Sequence, residues 1–249
     1  MKVAVAQRPE GDGAAQLTET IAAIDGLSLV DRAAADVLLA VDDAALRAAI
    51  DGDDDRPVLR LAATDTDNPS ADRSTLLSRL GTHSATTVPT ISRRVLSVQV
   101  GDTAARAVRD CAIVTTDPAR ISEYRVVADD ATLTAFRADG VVVATPVGTA
   151  SYSRAAGGPR LAPDTGLAVV PIAPFAMTAD QWVVRPPLTL RVERDDDVSV
   201  FADGSRVTSG GGGLTVSVTV AGAVTVVDRR RLAEGGRNWK NSNESSPHD

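Results

Sequence analysis

Apolar patterning changes its period near residue 90, and that change limits the fold more than any other feature of the chain. Before it, short apolar runs alternate with segments of helical spacing. Val3 to Ala6 reads as a strand, and residues 14–24 place Leu17, Ile21 and Ile24 on one helical face. Asp36 to Val41 is a nearly unbroken apolar run, the pattern of a strand covered on both faces. Ala44 to Ile50 resumes helical spacing, with Asp42 or Asp43 as its N-cap, and Pro57 to Leu61 is another short strand. Strand–helix–strand order predicts a parallel sheet with right-handed crossovers. The polar run 64–72 predicts a loop, and Arg73 to Leu80 predicts a helix ending at Gly81.

From about residue 92 the period is that of strands. Such runs recur at 94–100, 112–116, 121–128, 131–137, 141–145, 168–172, 188–193, 198–202, 214–220 and 223–228. Gly101-Asp102, Asp129-Asp130, Asp139-Gly140 and Asp203-Gly204 are the turn signals between them, and the glycines at 210–213 predict a flexible hairpin loop. The expected organisation is an N-terminal α/β parallel-sheet domain over 1–90, a β-rich domain over 91–230, and a disordered polar tail over 231–249.

Composition excludes several classes of function. The formal net charge of −7 and the 3% of aromatic residues suit neither duplex nor single-stranded nucleic acid. With Cys111 the one cysteine and His83 and His248 the only histidines, a transition-metal site or a histidine-based triad has almost no material. Cys111 reads as a small buried hydrophobe in a reducing compartment. No apolar run reaches the roughly 18 residues of a membrane span. The start, Met1 to Val5, lacks the apolar segment of a secretion signal, so a cytoplasmic location is expected. Acids are 27 Asp and 6 Glu against 24 Arg and 2 Lys. That balance fits a halophilic, salt-rich cytoplasm, and GC-rich codon use makes the same trade of Lys for Arg. Both readings stay open.

The stretch richest in chemistry is 137–159, RADGVVVATPVGTASYSRAAGGP. Val141 to Ala144 is a buried strand, Thr145-Pro146-Val147-Gly148-Thr149 a tight turn, and Ser151 to Ala156 a helix start closed by Gly157-Gly158-Pro159. A strand, a glycine-containing turn and a helix start gather N–H groups and hydroxyls in one place, which suits a polar or anionic ligand and also occurs for topology alone. The stretch resembles the signature of NAD kinases, in which Asp-Gly and four apolar residues precede TPTGSTAYSLSAGGP. Val170-Pro171-Ile172-Ala173-Pro174 and Ala202-Asp203-Gly204 resemble two later segments of that family. The resemblance covers roughly 90–230 well and the N-terminal half only in outline.

The resemblance implies an NAD-kinase-like fold, a homo-oligomer, and a dinucleotide site lined by Asp110, Asp139, Thr145, Gly148, Tyr152 and Ser153. It implies ATP with Mg²⁺, or polyphosphate, as phosphoryl donor and NAD as substrate, giving NADP. Asp42 would be the catalytic carboxylate. Two family motifs are altered here. Where the family has Gly-Gly-Asp-Gly-Thr, this chain has Ala40-Val41-Asp42-Asp43-Ala44, and Asp42-Asp43 also reads as a helix N-cap pair. Where the family has Asn before an acid, this chain has Arg109 before Asp110, and Arg109 either meets a phosphate or pairs with a surface carboxylate. A catalytically impaired paralogue that only binds NAD(P) is therefore the alternative to an active kinase. A lipid-kinase relative ranks last, because the TP-x-G…AGGP run resembles the dinucleotide branch.

Overall fold

The computed structural model describes all residues except 7–11, 52–53, 62–71, 118–119, 151, 178, 195–196 and 235–249. Most of the expected 64–72 loop and the tail beyond 234 therefore lie outside the described residues. The first half contains β1 (Lys2–Val5), α1 (Asp12–Ala22), β2 (Ser28–Leu29), β3 (Val37–Ala40), α2 (Asp43–Asp51), β4 (Val58–Arg60) and α3 (Arg73–Gly81). The second contains β5 (Thr90–Val100), β6 (Thr103–Ala107), β7 (Asp110–Thr115), β8 (Ser122–Ala128), β9 (Ala131–Ala144), α4 (Tyr152–Ala155), β10 (Leu167–Pro174) and β11 (Trp182–Val184). It continues with β12 (Leu188–Val192), β13 (Val198–Ala202), β14 (Ser205–Gly210), β15 (Thr215–Val227) and α5 (Arg229–Glu234). The architecture is α/β followed by a β-rich part.

In the first half the strand order is β4-β3-β1-β2, all parallel. All four residues of β3 are completely buried, for the reason its apolar run suggests. Val37 and Leu39 pack on one face with Leu17 and Ile21 of α1 and Leu76, Leu77 and Leu80 of α3. Leu38 and Ala40 pack on the other with Ala45, Leu46 and Ala49 of α2. Burying each such leucine contributes roughly 1.5–3 kcal/mol, so the helices are held by the sheet more than by their own propensity. Asp72 caps α3 by accepting from the Thr75 N–H at 2.7 Å.

Below β4, Asp54 accepts from the Nε–H of Arg56 at 2.6 Å and from that of Arg32 at 3.2 Å. The Arg56 hydrogen bond, helped by Arg32, holds the Asp54 carboxyl down at about 2. A depressed folded-state value stabilises the fold above the unfolded value near about 4, and that stability is lost as pH falls toward about 2. The Asp54 carboxyl is expected to titrate near 2 in a carbon-detected NMR series, and Asp54→Asn to flatten the acid limb of stability. A midpoint at the ordinary carboxylate value would refute this.

The second half is antiparallel, with order β14-β13-β7-β9-β8-β12-β15 and a large apolar core around Tyr124, Ile113, Val143 and Leu190. β15 joins the halves: it pairs along β5 and β12, and its Val226 sits parallel to Val58 of β4. Among the described residues all fifteen strands thus belong to one sheet. None of the described helices is long and apolar enough to cross a membrane.

Several sequence expectations change here. The 214–220 and 223–228 strands are one, interrupted by a register shift at Val220/Gly222 where Gly222 takes φ +144°. A bulge breaks period 2 without ending pairing. Asp139-Gly140 is no turn: β9 runs through it, because a Cβ at Gly140 would lie 2.5 Å from the Ile113 carbonyl oxygen of β7, and glycine allows that close pairing. β6, β11 and β14 carry too little apolar alternation to be seen. Residues 231–234 are not tail but the end of α5, whose Leu232 is fully buried with Leu76 and Leu80.

Candidate nucleotide site

The site begins with the link between β6 and β7. Asp203 sits in the β13–β14 turn at φ +49° with Gly204 at +79°, two successive left-handed residues as a tight hairpin requires. Its buried carboxylate accepts three backbone N–H groups: Val108 at 2.9 Å, Arg109 at 2.7 Å and Asp110 at 3.0 Å. Its carbonyl accepts from the guanidinium groups of Arg109 and Arg47, each at 3.1 Å. This clamp fixes where Arg109 and Asp110 point. Sequence reasoning placed Asp203 in a hairpin and missed its carboxylate. The signal was a buried-looking Asp directly after an apolar strand.

The 145–149 turn locks onto the same link from the other side. Thr145 N–H donates to the Arg109 carbonyl at 2.8 Å, and its hydroxyl donates to the Val108 carbonyl while accepting from Gly148 N–H at 3.3 Å. The Thr149 hydroxyl donates to the Pro146 carbonyl and accepts from Leu161 N–H. A Cβ at Gly148 would lie 2.1 Å from the Arg109 carbonyl oxygen, so glycine serves approach to protein backbone. Ser153 is fully buried, under Gly158. Thr145, Gly148 and Ser153 are buried behind the residues that line the cavity.

The wall encloses a cavity of about 480 Å³, within the size of small-molecule sites. Asp110, Ala112 and Val114 project into it from alternate positions of β7, with Phe201 from β13, Tyr152 from α4, and Arg109 at the margin. Period 2 along β7 brings these residues together once Asp110 is oriented. Phe201, Ser199 and Thr116 were not anticipated, because their role depends on β13 lying beside β7. Tyr152 is 42% exposed, and its hydroxyl is pushed up first by burial and then by the nearby charges of Asp110 and Asp139. The pocket thus offers an apolar floor for a flat ring and a carboxylate for hydroxyls. Burial pushes the Cys111 thiol up to about 12, aided by Asp110 and Asp203, so it is an inert wall group.

Asp42 lies elsewhere, at the end of β3. Its carboxylate accepts from Ala45 N–H at 2.7 Å, capping α2. Among the described residues the non-glycines at positive φ are Asp129, Asp130, Asp164, Ala173 and Asp203, so Ala40, Val41 and Asp42 form no left-handed phosphate loop. Leu46, one turn beyond Asp42, lines a second and smaller cleft that shares Arg109 with the first.

An α/β half is joined through one sheet to a β-rich half, and a cavity of small-molecule size lies at the β7–β13 edge. The family model of the ATP-NAD kinase C-terminal domain matches residues 108–226. The NAD kinase of Methanosarcina barkeri is 36% identical over 110 residues, 43% of this chain and 40% of that protein. That of Thermoplasma volcanium is 36% identical over 124 residues, 47% of this chain and 46% of that protein. These matches span less than half the length of the curated relatives. Two solved structures share the whole fold: an NAD kinase from Archaeoglobus fulgidus in complex with ATP (TM-score 0.69, 19% identity, 94% of this chain and 96% of that one) and yeast NADH kinase complexed with NADH (TM-score 0.72, 14% identity, 98% and 90%). Residues 108–226 of the chain are thus similar to the ATP-NAD kinase C-terminal domain, and the whole described fold is that of NAD kinases.

Proposed function

We propose that the chain binds NAD in the Asp110–Tyr152 cavity and transfers the terminal phosphoryl group of ATP, or of polyphosphate, to the 2′-hydroxyl of NAD. In that step the ribose oxygen bonds to phosphorus and the bond from phosphorus to its bridging oxygen breaks. The hydroxyl proton passes to Asp42, and ADP (or a chain one phosphate shorter) leaves. Positioning and charge neutralisation supply most of the rate in such transfers. Among the described residues no cluster of three His, Cys, Asp or Glu could hold a metal by itself, so Mg²⁺ arrives with the triphosphate, its usual mode.

The carrying observation is the cavity itself: an apolar floor, Asp110 and Tyr152 at its rim, and Arg109 linking it to a cleft bordered by α2. Asp139 acts on it through charge at Tyr152, and Thr145, Gly148 and Ser153 act by holding its wall. Tyr152 stands partly open at the mouth, where a second copy of the chain would complete the site in a cytoplasmic homo-oligomer.

A second reading rests on Asp42. A carboxylate that caps α2, after a loop without glycine, suits a protein that binds NAD or NADP and does not turn it over. Incubation with Mg²⁺, ATP and NAD at high salt separates the readings. NADP formation that falls about 100-fold or more in Asp42→Ala supports the kinase, with the lost cap costing about 1 kcal/mol of stability besides. NAD binding without NADP supports the binding module, and no binding at all removes both.

A further inference from the structure

A third cavity, of about 560 Å³, lies between α2 and the two edge strands β6 and β14. It has small-molecule size and shares no lining residue with the dinucleotide cavity or the smaller cleft. Each of the three elements sends one arginine to it: Arg47, Arg106 and Arg206. Asp51 is the one carboxylate among its lining residues, so positive charge is in surplus there, although the chain carries a net charge of −7. Ser97, Thr103 and Ser205 add hydroxyls. Backbone carbonyls hold two of the arginines. Arg47 donates to the Asp203 carbonyl at 3.1 Å, and Arg106 donates to the Ile50 carbonyl at 2.9 Å, in the last turn of α2. Carbonyls are neutral, so these two bonds aim the guanidinium groups without themselves cancelling charge. A guanidinium carries five N–H donors, and the Asp203 carbonyl engages only part of Arg47.

We infer that this cavity binds a small multivalent oxyanion, a tricarboxylate or a phosphate monoester, and that its occupancy tightens the dinucleotide cavity. Guanidinium groups meet the paired oxygens of both anions in charge-assisted hydrogen bonds, and the hydroxyls supply further donors. The three arginines come from three separate elements, so an anion with several oxygens bridges them and a small monovalent one does not. The link to the dinucleotide cavity is Asp203. Its carbonyl accepts from Arg47 of this cavity and from Arg109 of the other. The next residue, Gly204, lines the dinucleotide cavity, whereas Ser205 and Arg206 line this one. The β13–β14 hairpin is thus a wall common to both. An anion bridging Arg47 and Arg206 pins that turn, and a pinned turn presents Arg109 and Asp110 pre-organised for a ligand. The coupling rests on the function proposed above; the anion site does not.

Isothermal titration of the full chain with citrate, glycerol phosphate and acetate, at low salt and without Mg²⁺, tests the inference. Citrate or glycerol phosphate is expected to bind at one site at least about tenfold tighter than acetate, and more weakly as salt rises. The tighter of the two names the source, carboxylate or phosphate ester. Arg206→Glu and, separately, Thr103→Glu bring a carboxylate to the cavity and leave the carbonyl-held arginines in place. Each is expected to weaken the preferred anion about tenfold or more. Both positions are exposed, so the fold, checked by circular dichroism, is expected to survive. Arg230→Gln, which alters only the smaller cleft, is expected to bind that anion as the parent does. Saturating anion is expected to tighten NAD about fivefold or more in the parent and not in Arg206→Glu. Neither anion binding tighter than acetate overturns the inference, as does equal affinity in the parent and both Glu variants. Anion binding lost in those variants, with NAD affinity unmoved or weakened by the anion, overturns the coupling. Anion binding lost in those variants, with no NAD binding in any state, supports the site and removes the dinucleotide reading instead.

Discussion

Asp203→Ala is expected to lose about 3–5 kcal/mol of stability and all measurable dinucleotide binding, because three backbone N–H donors, two of them buried and one partly so, lose their acceptor at once. Each orphaned buried donor costs about 1–3 kcal/mol, reduced where water enters. The effect on binding follows from the same bonds, since they decide where Asp110 and Arg109 project. Asp203→Asn keeps one carbonyl oxygen and turns an amide NH₂ toward the other donors, so it should recover part of both losses. Urea unfolding together with NAD titration reads this out. A stable Asp203→Ala chain that binds NAD like the parent would show that the clamp plays no part in the site.

Gly148→Ala carries the second large effect. Its new Cβ would lie 2.1 Å from the Arg109 carbonyl oxygen and 2.6 Å from its carbon, both rigid backbone atoms. That carbonyl already accepts from Thr145 N–H at 2.8 Å, so the turn or the link must move and break the bond. Overpacking of this kind costs typically about 1–3 kcal/mol, and a backbone obstacle puts this case at the upper end. The gain from a less flexible unfolded chain, about 0.4–1 kcal/mol, does not offset it. An unfolding midpoint equal to the parent's would mean that the 145–149 turn does not press on the β6–β7 link. Both variants test one arrangement: a short link gripped between the Asp203 carboxylate and the Gly148 turn.

Much of the first half was legible because its signals are local. The run Val37-Leu38-Leu39-Ala40 demands cover on both faces, and the helical spacing of Leu17 and Ile21 supplies some of it. Helix α3 was legible from Arg73 to its end at Gly81, and its Asp72 cap was not. In the second half, boundaries failed where the cause lies on another strand. Gly140 looks like a turn residue until β7 is seen passing within reach of its α-carbon. The break at Gly222 looks like a loop until β5 is seen pairing on both sides of it.

By itself, the order of residues determined the strand–helix alternation, the β-rich remainder, and the family signature at 139–159, since each rests on neighbours in the chain. Tertiary structure alone decided what those residues do. It turned Thr145 and Gly148 inward as supports, made Asp203 the anchor of Arg109 and Asp110, set Phe201 beside Ala112 as a cavity floor, and gathered arginines from β4, β5 and α5 into one cleft. These are contacts between segments tens of residues apart, and nothing in local spacing records which distant backbone a side chain will meet.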